Sequence, residues 1–152
     1  MANGVTYGIN FPFRDSFDGK YLDLSNYSNE EIRSSLIHLL LTRKGSRYFL
    51  PDFGTRLYEY IFEPLDGPTF NDIEIEIKDS VEKYIPNLLV TSIKVTGIAT
   101  EEGTDVTTDG NVENNSYDLP GMSEREYTAK VRIDYSITSD VFSSKDFVII
   151  NI

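Results

Sequence analysis

The sequence predicts an α+β fold, with N-terminal helices packed on one face of a small antiparallel β-sheet formed by the C-terminal half. Two observations carry this: apolar residues recur at helical spacing before Pro86 and at a spacing of two beyond it. Composition supplies the third, because 39% hydrophobic and 12% aromatic residues over 152 positions suffice for a buried core. That length predicts a single domain over 1–152. Within it we distinguish an arm (1–27), a helical part (28–87) and a β-sheet part (88–152) with a long flap at 101–125.

The arm mixes Gly, Pro and Asn with Tyr7, Phe11, Phe13, Phe17 and Tyr21, which suits a segment laid over a surface and anchored by its rings. Ser28 and Glu31 have the spacing of a capping box. Ile32, Leu36, Leu39 and Leu40 then share one helical face, so a helix is expected over about 29–43, with Arg43 and Lys44 in its last turn and Gly45 at its C-cap. Residues 46–54 read as a loop with a Pro-Asp-x-Gly turn. A short helix through Leu57, Tyr60 and Ile61 must stop before Pro64, Gly67 and Pro68.

Residues 69–85 carry two patterns. Ile73-Glu74-Ile75-Glu76-Ile77 alternates like a strand, whereas Phe70, Ile73, Ile77, Val81 and Tyr84 keep helical spacing over a longer stretch. The longer period predicts a helix, capped by Thr69 or Asn71 and ended by Pro86. Leu89, Thr91, Ile93 and Val95 then alternate with Val90, Ser92, Lys94 and Thr96 as a first strand. Tyr127 to Ile137 alternates more cleanly as a second. Phe147 to Ile152 forms a third, apolar on both faces. The polar stretch between the first two strands has the composition of a mobile flap without a core of its own.

The chain carries a net charge of −11, which argues against nucleic acid as the main partner. No apolar run has the ~18–20 residues of a membrane span, and no secretory signal is expected at the N-terminus. Without cysteine there are no disulfides or thiolate zinc sites, and a single histidine, His38, argues against His-rich metal sites and a Ser-His-Asp triad. Residues 42–56 run against the general charge: Arg43, Lys44, Arg47 and Arg56 face only Asp52. Such a loop suits an acidic partner surface, or else is a solvated loop.

A glycosidase needs two carboxyl groups about 5–10 Å apart, one of them in an apolar pocket. Glu63, between Phe62 and Pro64, is the best candidate acid, with Asp52 or Asp66 as partner. With 25 acids some such pair arises by chance, so no catalytic residue is assigned. His38 reads as a boundary polar residue. Asp105, Asp109 and Glu113 do not match a calcium loop, and no nucleotide-binding glycine motif occurs, so no cofactor or metal is expected. The apolar last strand must be covered on both faces or paired at an edge. An open edge would template another chain's strand, and an interior position in its own sheet is the other reading.

Thr42-Arg43-Lys44-Gly45-Ser46-Arg47, then Pro51-Asp52-Phe53-Gly54, then Ile61-Phe62-Glu63, follow a leucine-rich helix. This series resembles the baseplate wedge family of contractile phage tails, whose relatives serve in type VI secretion baseplates and contractile bacteriocins and some of whose members have been labelled lysozymes. Residues 29–99 follow the family's order, and the strand at 126–138 fits its next strand. One departure is that the family's Glu-Pro-Arg is Ile85-Pro86-Asn87 here.

The resemblance implies a structural wedge subunit that docks on other baseplate wedge proteins and initiates the tail sheath by β-strand addition. The alternative it raises is a peptidoglycan-cleaving tail lysozyme. It implies docking through Tyr84, Pro86, Asn87 and Arg47, and pairing with the sheath protein through Phe147, Val148, Ile149, Ile150 and Ile152. It further implies six copies per assembly through baseplate symmetry and a place in the virion's tail baseplate after assembly in the host cytoplasm, while the net charge and the short apolar runs lead us to expect neither nucleic acid nor membrane as partner.

Overall fold

The change of period at Pro86 is a change of layer. The computed structural model describes residues 8–17, 19–64, 67–97, 116–118, 129–138 and 145–152. Tyr7, Asp66, Tyr127, the carboxylates Asp105, Asp109 and Glu113, and the flap apart from 116–118 lie outside them.

The arm forms a small antiparallel ladder, β1 (Gly8–Ile9) against β2 (Leu24–Ser25). Asn10 closes it, its backbone N–H donating to the Asp23 carbonyl and its Nδ2 to the Asp23 carboxylate at 2.9 Å. Helix α1 spans Ser28–Leu41. Its N-cap is Tyr27, in an extended conformation and without a side-chain cap bond. The expected capping box does not form, because Glu31 instead accepts from the Ser35 hydroxyl at 3.2 Å, inside the helix. At the other end the helix stops earlier than expected. Thr42 turns extended and sends both its N–H and its hydroxyl to the His38 carbonyl, leaving Arg43, Lys44 and Gly45 in the following loop.

A single turn, α2 (Leu57–Tyr60), precedes α3 (Gly67–Tyr84). Gly67 and Pro68 open α3 rather than ending the turn before it, as suits proline in a first helical turn. Thr69 lies within the helix, and its hydroxyl donates to the Pro64 carbonyl at 2.9 Å. The helical period over 69–85 prevails: Ile73, Ile77 and Val81 are buried, and Ile75 is exposed.

The sheet has the order β3 (Leu88–Gly97), β5 (Ala129–Ile137), β6 (Lys145–Asn151), β4 (Ser116–Asp118). The three long strands are antiparallel neighbours, and β4 adds a short parallel strand to β6. On β5 the alternation holds throughout, with Ala129, Val131, Ile133, Tyr135 and Ile137 buried. On β3 it does not. A bulge between Val90 and Ser92 adds a residue, so Leu88 and Val90 face the helices before it, and Ile93 and Val95 after it. Leu89, expected on the same face as Ile93, is exposed. Val148, Ile150 and Ile152 complete the inner face, against Leu36, Leu39 and Leu40 of α1 and Ile73, Ile77 and Val81 of α3 in one core.

Candidate functional site: a braced basic loop and the last strand

The loop that leaves α1 is held at its base by both long helices. Arg43 and Thr55 form a parallel bridge, with Lys44 N–H donating to the Thr55 carbonyl (3.0 Å) and Thr55 N–H to the Thr42 carbonyl (2.9 Å). The buried Thr55 hydroxyl donates to the Leu40 carbonyl at 2.9 Å, and the Ser80 hydroxyl of α3 to the Gly54 carbonyl at 3.4 Å. Glu76 of α3 completes the brace. Its half-buried carboxylate takes Lys44 at 3.8 Å and Arg56 at 3.5 Å, one cation from each end of the loop. Further out, Gly45 N–H donates to the Pro51 carbonyl at 2.7 Å, and Phe53 N–H to the Leu50 carbonyl at 3.0 Å. Residues 46–50 therefore project beyond a closed neck.

A row of rings runs from the arm past this loop to the end of α3. Phe13 meets Phe11 edge-on (5.2 Å between centroids), Phe11 meets His38 (5.1 Å), His38 meets Phe53 (5.6 Å), and Phe53 meets Tyr84 edge-on (5.1 Å). Arg47 lies over the Phe53 ring at 4.3 Å, and Lys83 over Tyr84 at 5.2 Å and near Asp52 at 3.7 Å. Aromatic pairs and stacked cations of this kind each contribute of order 0.5–1.5 kcal/mol. Burial, and secondarily the Arg47 charge, push the His38 imidazole below its ordinary pKa and so favour the neutral ring. His38 is thus a half-buried member of the row, a role its place beside the apolar stripe of α1 did not reveal.

Arg47 and Tyr84, expected at a docking site, meet through Phe53, although 37 positions separate them. Pro86 and Asn87 follow Tyr84 and are exposed, and the Asn87 carbonyl accepts from Thr138 N–H at 2.9 Å. Sequence reasoning passed over Tyr48 and Phe49, which are 99% and 100% exposed at the loop's tip. The available signal was that these adjacent rings belong to no periodic stripe.

The residues expected to pair with a sheath strand lie mostly inside the sheet. Ile149, Ile150 and Asn151 are paired with β5 on one side and β4 on the other, and Ile152 exchanges backbone bonds with Ala129 (2.8 and 2.9 Å). The interior reading is therefore the one observed here for residues 149–151, and their ladder groups are already engaged. Among the described residues, Phe147 and Val148 have a strand on the β5 side alone. Phe147 carries Arg132 over its ring at 4.4 Å. Beside it, Asp146 accepts from the Tyr135 hydroxyl (2.9 Å) and from Phe147 N–H (2.8 Å), with Arg33 of α1 at 3.7 Å. Burial first, and then the Asp146 carboxylate, drive the Tyr135 phenol far above its ordinary pKa, so it stays a donor.

Of the carboxylates weighed for catalysis, Glu63 is exposed, and Asp52 is an exposed partner of Lys83. Among the described residues no group of three or more His, Cys, Asp or Glu could hold a metal ion. No helix among them is long and apolar enough to cross a membrane.

A family model described as baseplate wedge protein gp25 matches residues 27–140. The baseplate wedge protein gp25 of Enterobacteria phage T4 is 39% identical over 57 residues, and the matched region is 38% of this chain and 43% of the T4 protein, less than half its length. Among solved structures, a Geobacter sulfurreducens protein assigned as a tail lysozyme aligns over 83% of this chain and 90% of its own, with a TM-score of 0.57 at 19% identity, a likeness of fold alone. A chain of the six-fold symmetrised anti-feeding prophage baseplate aligns over 61% of this chain and 73% of its own, with a TM-score of 0.54 and 25% identity.

Proposed function

The chain belongs to the baseplate wedge protein gp25 family, and from that premise we propose that it is a non-enzymatic wedge subunit that docks on other wedge proteins and starts the tail sheath by β-strand addition. Its place is the tail baseplate of a virion or related contractile apparatus, with six copies set by baseplate symmetry and assembly in the host cytoplasm. The observation that carries the reading is the braced loop. Arg47 and Tyr84, from distant segments, meet on Phe53 without the family's Glu and Arg beside Pro86, and Pro86 and Asn87 follow Tyr84 in the chain.

The docking contact is then cationic and aromatic, with Arg47 and Tyr84 as its centre. Strand addition uses the last strand, Phe147 to Ile152, after β4 has given way. Among the described residues β4 is a three-residue parallel strand paired with β6 alone, the weakest ladder described in this sheet, and an incoming strand forming about five bonds at about 0.5–1.5 kcal/mol net each would displace it. The enzymatic alternative lacks support, because Glu63 is exposed, whereas the general acid of such a pair sits in an apolar pocket.

Lysine crosslinking and mass spectrometry on intact contractile particles test the assignment. Lys44, Lys78 and Lys83 should link to wedge proteins, and Lys130 and Lys145 to sheath. Absence of the chain from the particle, or strand lysines linked to wedge proteins alone, would refute it.

A further inference from the structure

Tyr48 and Phe49 stand almost wholly in solvent at the tip of a loop whose neck is closed by the Gly45–Pro51 bond and whose base is fixed to α1 and α3. Two large rings held out this way by a braced frame lose little conformational freedom on binding, which is the property of an anchor. The charges around the tip are unevenly matched. Lys44 and Arg56 share Glu76, and Arg56 also meets Glu59 at 4.0 Å, so two carboxylates balance these two cations within the molecule, whereas Arg43 is exposed in the neck and Arg47 rests on a ring rather than a carboxylate.

We propose that Tyr48 and Phe49 form an anchor that inserts into an apolar pocket rimmed by carboxylates on a neighbouring wedge polypeptide. The proposal rests on the wedge reading above and names the partner chemistry of that docking surface. Arg43 and Arg47 supply the complementary charge at the rim, and the rings supply burial at the centre. A net charge of −11 works against the other surface that accepts aromatic and basic tips, an anionic bilayer.

The test is a Tyr48→Ser, Phe49→Ser double variant, measured for incorporation when baseplates lacking the subunit are reconstituted with purified protein. Both rings are exposed, so its urea midpoint should equal that of the parent. Truncating hot-spot anchors predicts a loss of apparent affinity of at least about 30-fold. In parallel, the photocrosslinker p-benzoylphenylalanine placed at Phe49, with Phe17 as control position, should give from position 49 alone one wedge peptide containing both apolar and acidic residues. Wild-type-level incorporation of the double variant would overturn the anchor while leaving the wedge reading intact. So would a crosslink to a second copy of this chain, or to a basic peptide, or cosedimentation with phosphatidylserine vesicles that depends on the two rings. Failure of the parent itself to incorporate would instead overturn the wedge reading.

Discussion

Gly54 is where the braced loop depends most on one residue. Its φ of +112° is open to glycine, and a Cβ there would sit 2.3 Å from the Thr42 carbonyl oxygen, a backbone atom fixed by its bond from Thr55 N–H. Gly45 also has positive φ, +86°, but nothing lies within 4 Å of its Cβ position. Gly54→Ala should therefore cost about 2–4 kcal/mol, and Gly45→Ala about 1 kcal/mol, by urea denaturation. Equal costs would mean that conformational strain, and not the close approach of the two backbones, fixes the loop. The sequence shows a turn here through Pro51, Asp52 and Gly54, but not that the turn lies against the end of α1. Other residue roles were hidden for a related reason. Ser28 and Glu31 have capping-box spacing, yet the same Glu31 serves Ser35, and spacing does not reveal which of two partners a side chain takes.

At the scale of elements, α1, α3 and β5 were legible because each buries one uninterrupted stripe, and the period of a stripe survives whatever it packs against. Strand β3 was legible as a strand but not by face. Thr91 is an extra residue in the ladder, and no glycine or proline marks it. Parity changes there, so Leu89 goes outward while Ile93 goes inward. Deleting Thr91 would leave Leu88, Val90, Ile93 and Val95 on the core face and restore plain alternation. The deletion should keep stability within about 1 kcal/mol, whereas deleting Lys94 would turn Val95 outward and cost several times more. The bulge has a second effect, since β3 is an edge of the sheet and a kinked edge with Lys94 exposed is a poor template. Loss of Thr91 should increase self-association in light scattering at high concentration. A monodisperse, equally stable deletion would show that the bulge does not guard this edge.

Taken as a whole molecule, the sheet has two differently made edges among the described residues, β3, bulged and long, and β4, Ser116–Asp118 and parallel to β6. The last strand runs between β4 and β5, and the sequence alone did not distinguish that interior place from an open edge, because both demand an apolar strand. Removing residues 146–152 would not separate sheath initiation from folding, since Val148, Ile150 and Ile152 are buried and each contributes about 1.5–3 kcal/mol to the core. Holding β4 in place separates them. Asp118 and Asn151 are register partners, neighbouring parallel strands lie within disulfide reach, and the chain has no native cysteine to compete. An Asp118→Cys, Asn151→Cys variant, oxidised before mixing, should enter baseplates as the parent does but leave bare tubes when sheath protein is added. Reduction should restore sheath growth in electron micrographs. Sheaths of normal length on oxidised particles would mean that the incoming strand does not take the place of β4, and would leave the guarded edge of β3 as the remaining described position for strand addition.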